Sequence, residues 1–130
     1  MHTGEVPLSL LLDAGADTVF GLPDGQTLAL YDAIASNPAR VRHILLRDEQ
    51  SGPYAAVGYA RVTGRVGICD ATVGPGATKL TSGLAEAYNA SVPLLAIVSD
   101  HPTNWLHLID RGAASQGIDQ LRMLWPLIAL

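Results

Sequence analysis

Glu49 stands in "LLRDEQSGPYAAVGYARVTGR" (residues 45–65), where an apolar run gives way to two acids and a Gln and then to small residues. A carboxyl at a strand end, beside a helix start and small side chains, is partly desolvated. Desolvation disfavours its charged form, so such a group can hand a proton to a ligand nitrogen near neutral pH. A plainer reading competes: Asp48 and Glu49 lie in the first turn of the next helix and complement its dipole. The second stretch with chemical content is "VGPGATK" (73–79). Its backbone N–H groups could cradle an anion. It could instead bring main chain and the flat ring of Pro75 close to a planar ligand, or make nothing more than a tight turn. As a phosphate loop it is weak, because the third glycine of a dinucleotide loop is absent, Lys79 is not in a Walker arrangement and Pro75 lacks an N–H.

Other reactive side chains offer less. His2, His43, His101 and His107 share no i,i+4 spacing and Cys69 lies inside an apolar run, so no metal site is predicted. His101 follows an apolar run and could touch a substrate; the alternative is a solvated loop histidine. Ser51, Ser82, Ser99 and Ser115 form no nucleophile elbow.

The elements that must position these residues can be read from the pattern. Helices are predicted in "PLSLLLDAGA", "GQTLALYDAIASNP", "SGPYAAVGYARVTG" and "GATKLTSGLAEAYNAS". Strands are predicted in "DTVFGLP", "VRHILLR", "RVGICDATV" and "VPLLAIVSD". The last strand is almost continuously apolar, which predicts burial on both faces and hence a parallel sheet sandwiched by helices, an α/β fold. Ligands in such sheets sit beyond the carboxyl ends of the strands. The segments 21–26, 47–52, 72–79 and 99–104 are therefore expected to gather along one edge.

The bulk numbers exclude several classes. The 130 residues suit one domain over 1–130, and 48% hydrophobic against 15% charged residues argues against disorder. A net charge of −4 without a basic run gives no sign of nucleic-acid binding. A single cysteine, no signal-peptide pattern and no uninterrupted apolar span predict a cytoplasmic protein. The end, "LRMLWPLIAL", is expected to be a last strand tucked into the core, or an apolar patch left by truncation or awaiting a partner subunit.

Four ordered stretches, "VFGLPDGQTLALYDAI", "RDEQSGPYAAVGYARVTGRVGIC", "TVGPGATKLTSGLAEAYNASVPLLAIVSD" and "GAASQGIDQ", together resemble the N-terminal pyrimidine-binding (PYR) domain of thiamine-diphosphate enzymes of the acetolactate-synthase-like group. Arg47, Glu49, Gly58, Tyr59, Ala60 and Arg61 match that family's pattern around its glutamate, with Asp48 in place of a His. Gly74, Pro75, Gly76, Ala77 and Thr78 match its glycine turn, with Lys79 in place of an Asn. Leu22, Pro23, Asp24 and Gly25 resemble its Val-Pro-Gly loop, one residue longer.

The resemblance implies that Glu49 hydrogen-bonds N1′ of the cofactor's aminopyrimidine and promotes loss of the thiazolium C2 proton. It implies a cofactor site formed by Pro23, Gly25, Glu49, Gly74, Pro75, Gly76, Thr78 and Lys79, with Gln116 and His101 near the substrate channel. The implied activity is that of a 2-oxo-acid decarboxylase or carboligase, a lyase or transferase. Its cofactor is thiamine diphosphate, whose Mg²⁺ is held by a diphosphate-binding domain with Gly-Asp-Gly and Asn-Asn motifs. These 130 residues contain no such motif. Residues 1–130 are therefore expected to be a PYR-like domain without its C-terminal part, inactive alone. The implied partners are a diphosphate-binding domain or subunit, a small 2-oxo acid and further copies of the chain in a dimer or tetramer; no nucleic acid or membrane is among them. The small residues of "SGPYAAVGYA" and "GLAEAYNAS" are expected to form the contact between copies. The alternative is a solitary, non-catalytic PYR-like module for binding or assembly.

Overall fold

The structure, a computed structural model, describes residues 4–128. Strands β1 (Thr18–Gly21), β2 (Arg42–Leu45), β3 (Gly67–Ala71) and β4 (Leu94–Val98) form one parallel sheet in the order β2-β1-β3-β4. The helices are α1 (Glu5–Asp13), α2 (Leu28–Ala35), α3 (Ser51–Thr63), α4 (Pro75–Lys79), α5 (Thr81–Asn89), α6 (Leu106–Ile109) and α7 (Gln120–Leu124).

Alternation along the strands divides the core between two faces. Val19, Ile68 and Ile97 pack under α1 and α2 with Leu8, Leu30 and Ile34. Phe20, Cys69, Ala71 and Ala96 pack on the other face with Ala56, Leu84 and Leu124. Helices on both faces of a parallel sheet are the α/β sandwich that the alternation of elements predicts. Burial pushes the Cys69 thiol up to about 12, so it behaves as a core side chain.

Several local devices set the element ends. Gly64 closes α3 in the left-handed region at φ 71°, where glycine carries no Cβ penalty. Asp24 Oδ1 accepts from the N–H groups of Gln26 (2.5 Å) and Thr27 (3.2 Å), which leads the chain into α2. The single helix predicted over "GATKLTSGLAEAYNAS" is two, α4 and α5, meeting at the buried Leu80.

Small residues set the helix approach. A Cβ on Gly83 would lie 2.6 Å from Pro53 Cγ, and one on Gly67 would lie 2.2 Å from the Ala56 carbonyl oxygen. At these positions the small residues of α3 and α5 are used inside the fold, where α3 meets α5 and β3.

The predicted burial of the fourth strand on both faces is not observed. Residues of β4 are half-buried and Leu95 is 40% exposed, because β4 pairs only with β3 among the described residues and lies at the sheet edge. Nor is the segment 121–128 a strand. It forms α7 and a 3₁₀ turn over Trp125–Leu127, with Leu124 buried and Trp125 56% exposed. Leu130 lies outside the described residues.

Candidate functional site

The parallel strands bring their carboxyl ends to one edge, and side chains tie the four following segments together. Lys79 Nζ donates to both Asp48 Oδ1 and Glu49 Oε2, each at 2.9 Å. Gln120 bridges the turn at Gly74 to Ser99. Ser99 Oγ reaches Asp24 Oδ2 at 3.5 Å.

Glu49 lies between β2 and α3, just ahead of the helix. Neither acid is in the first turn of α3, which begins at Ser51; they stand one and two residues ahead of its N-cap, Gln50. Their carbonyls start the helix, accepting from Ser51 N (3.2 Å) and Gly52 N (3.0 Å). The Glu49 side chain is 17% exposed, and a Cβ placed on Gly76 would lie 3.5 Å from its Oε1. The same Cβ would lie 2.6 Å from Thr72 Cγ2. The Thr72 methyl reserves this position for glycine, while the carboxylate would be in ordinary van der Waals contact with a Cβ there.

The glycine turn is rigid. Gly74, at φ 64° and ψ −112°, is the N-cap of α4, and a Cβ there would lie 2.0 Å from the Gln116 carbonyl oxygen. Its N–H is already held by Gln120 Oε1 at 3.2 Å and Pro75 has none, so two of the donors a phosphate cradle needs are missing. What the turn offers is a close main-chain approach beside a carboxylate. Thr78 Oγ1 donates to the Pro75 carbonyl at 2.7 Å and stays exposed. Pro23 and Gly25 are exposed in the loop after β1.

Both the Asp48 and the Glu49 carboxylates converge on Lys79. The two departures from the family pattern, Asp48 and Lys79, are thus ion-paired with one another. The Lys79 ammonium holds the Asp48 carboxyl below the usual Asp range, and the two acids raise Lys79. Lys79→Ala is expected to move the Asp48 titration upward, toward that of an ordinary Asp, in carboxyl ¹³C NMR. An unchanged titration would mean that Lys79 does not hold Asp48 in solution.

His101 is not a solvated loop residue. Its ring is buried, with Nε2 2.8 Å from the Ser115 carbonyl oxygen and Nδ1 lacking a hydrogen-bond partner. It ties the exit of β4 to the segment carrying Gln116, which is exposed at φ 61°. Tyr59 and Arg61 hold the scaffold: Tyr59 OH donates to Asp17 Oδ1 at 2.6 Å and Arg61 pairs with Glu86 at 3.1 Å.

Two features had no place in the reading of the sequence. One is Gln120, buried between strand ends. The other is Asp70 on β3, with 0% exposure. Tyr31 OH donates to Asp70 Oδ2 at 2.7 Å and lies 3.3 Å from His43 Nε2. Burial pushes the Asp70 carboxyl up to about 6. An acid inside "VGICDATV" was a visible signal for Asp70, whereas nothing marked Gln120 off from a surface glutamine.

Among the described residues, no group of three or more His, Cys, Asp or Glu side chains could hold a metal ion. None of their helices is long and apolar enough to cross a membrane.

Comparison with known proteins bears on this geometry. The family described as "Thiamine pyrophosphate enzyme, N-terminal TPP binding domain" matches residues 1–123. The acetolactate synthase large subunit of Parasynechococcus marenigrum is 50% identical over 98 residues, covering 71% of this chain and 16% of that protein. The acetolactate synthase of Arthrospira platensis is 50% identical over 116 residues, covering 88% of this chain and 19% of its own length. The acetolactate synthase isozyme 2 large subunit of Escherichia coli is 51% identical over 83 residues, covering 64% and 15%. These alignments take in a fifth or less of each relative's length.

Proposed function

The chain belongs to the family of N-terminal TPP-binding domains of thiamine pyrophosphate enzymes, and on that premise we propose that it is the pyrimidine-binding part of an acetolactate-synthase-like 2-oxo-acid decarboxylase or carboligase. The observation that carries this reading is the proximity of the glycine turn to Glu49 at the carboxyl edge of the sheet, where a Cβ on Gly76 would lie 3.5 Å from the carboxylate. A flat aminopyrimidine fits such a place: main chain and the Pro75 ring on one side, a carboxyl to meet a ring nitrogen on the other. The cofactor, when bound, supplies the carbanion chemistry.

In this reading the chain's own residues bind and orient. Glu49 exchanges a proton with N1′. Pro75 and Gly76 lie against the pyrimidine, and Gly74 and Thr78 keep the turn in shape. Pro23 and Gly25 border the site from the loop after β1, with Gln116 and His101 toward the substrate channel. Lys79 now shares Glu49 Oε2, so it must move or share that oxygen when a ligand engages the carboxylate. Diphosphate and Mg²⁺ fall to a diphosphate-binding domain or subunit, and the assembly is a cytoplasmic homo-oligomer acting on a small 2-oxo acid.

The same Lys79 contact favours a second reading, a non-catalytic PYR-like module in which a lysine permanently occupies Glu49. Calorimetry with thiamine diphosphate and Mg²⁺ separates the two. On the first reading, the chain binds once a diphosphate-binding domain is supplied in the same polypeptide or as a partner, and Lys79→Asn binds at least as well. Absence of binding in every such combination would support the module.

A further inference from the structure

Gln120 is 6% exposed and stands at the first residue of α7, behind an N-cap formed by Asp119, whose side chain accepts from Arg122 N. Its amide reaches two main-chain groups from different parts of the sheet edge. Oε1 accepts from Gly74 N at 3.2 Å and Nε2 donates to the Ser99 carbonyl at 2.6 Å. The Gly74 N–H can only donate and the Ser99 carbonyl can only accept, so the side chain between them must present an acceptor and a donor side by side. Leucine can do neither. Glutamate can do both only while protonated. Gly74 itself is buried, and without Gln120 its N–H would lose the partner it has in the fold.

We propose that Gln120 is a positioning residue that locks the Gly74–Pro75–Gly76 turn to the end of β4, and thereby fixes the gap between that turn and Glu49. The lock has a second wall. The Gln116 carbonyl presses on Gly74 so closely that a Cβ would lie 2.0 Å from it, and His101 holds the neighbouring Ser115 carbonyl at 2.8 Å. The segment 114–120 thus bears on the turn through Gln116 and grips it through Gln120. If the link to Ser99 is lost, the turn keeps its shape, which Gly74 dictates, but not its place relative to Glu49. The functional consequence rests on the reading of Glu49 as the partner of a pyrimidine nitrogen; the lock itself does not.

The test uses the 130-residue chain with Gln120→Leu and Gln120→Glu, read by NMR. Amide exchange of Gly74, taken relative to that of Ile68 in β3, is expected to quicken on the order of tenfold in Gln120→Leu, the scale of one net hydrogen bond. In Gln120→Glu, the link to Ser99 is expected to hold at low pH and to break as the new carboxyl ionises and faces the Ser99 carbonyl without a donor, while the carboxylate still accepts from Gly74 N, so that Gly74 protection changes with pH. That pH profile is the signature of a two-ended bridge, and it holds even if Gln120→Leu folds poorly. Unchanged Gly74 protection in a folded Gln120→Leu, or pH-independent protection in Gln120→Glu, overturns the lock. The free aminopyrimidine half of thiamine serves as the probe of placement. It is expected to shift the Glu49 carboxyl ¹³C signal in the unmutated chain but not in Gln120→Leu at the same pH; an equal shift in Gln120→Leu overturns the claim of placement. If the probe leaves Glu49 untouched in the unmutated chain, the reading of Glu49 falls, while the exchange data still decide the lock.

Discussion

Glu49→Gln is expected to slow C2-proton exchange of thiamine diphosphate by about 10²–10⁴-fold, the usual contribution of a positioned general acid or base. The measurement belongs in a polypeptide or complex that supplies the diphosphate-binding domain, with exchange followed by NMR so that cofactor activation is isolated from substrate turnover. Glutamine keeps the size of the side chain and can still hydrogen-bond a ring nitrogen, but it cannot exchange a proton with it. Cofactor binding should therefore change far less than exchange. The fold should be unaffected, because the helix is started by the Glu49 main-chain carbonyl, not its carboxylate. Exchange at the unmutated rate in a cofactor-bound Glu49→Gln complex would remove Glu49 from the mechanism.

Asp48→Asn is the companion variant, and the ion pairs change what it reports. Asp48 and Glu49 share one ammonium, so neutralising Asp48 leaves Lys79 with a single carboxylate partner. The expected effect on exchange is smaller than that of Glu49→Gln and is exerted through Lys79. Combining Asp48→Asn with Lys79→Asn should abolish it.

How far the sequence could be read follows from the physics of each signal. The strands and most helices were legible because their apolar spacing and their breakers, such as Gly64, act locally. The adjacency of Glu49 and Gly76 was legible indirectly: both follow strands, and parallel strands put such segments at one edge. The break at Leu80 was not, since Leu80 itself keeps helical backbone angles and its N–H merely bonds the Ala77 carbonyl three residues back instead of four. The half-exposure of β4 was not, because an apolar run records hydrophobicity and not which neighbours are present. The Lys79 bridge and the Gln120 lock were hidden for a common reason. Each joins segments about 20 or more residues apart in sequence, and no residue type or local spacing announces a side chain that will span two strand ends.

Asp70→Asn is expected to remove a pH dependence of stability that is unusual for an aspartate. Asp70 is fully buried on β3, and its folded value of about 6 stands above the 3.8 of an ordinary Asp, with desolvation as the main cause. The native state therefore binds this proton more tightly than the unfolded chain does. Below about pH 4 both states are protonated and the group makes no pH-linked contribution. Between about pH 4 and 6 the unfolded chain ionises first, and stability falls as pH rises. Above about pH 6 the buried carboxylate is charged, and the accumulated loss is roughly 3 kcal/mol at about 1.4 kcal/mol per pH unit. Asp17 and Asp48, whose folded values are lowered, contribute with the opposite sign, so the quantity to measure is a difference. Urea unfolding of the unmutated chain and of Asp70→Asn at pH 4 and pH 7 should show the variant gaining on the unmutated chain by about 2–3 kcal/mol between the two. Any fixed penalty for placing an amide at this site cancels in that comparison. Tyr31→Phe provides an independent check. The Tyr31 hydroxyl donates to Asp70 and holds its value down against the effect of burial, so losing it should move the transition above pH 6. If the difference between Asp70→Asn and the unmutated chain is the same at pH 4 and pH 7, the Asp70 carboxyl is not held protonated by its burial.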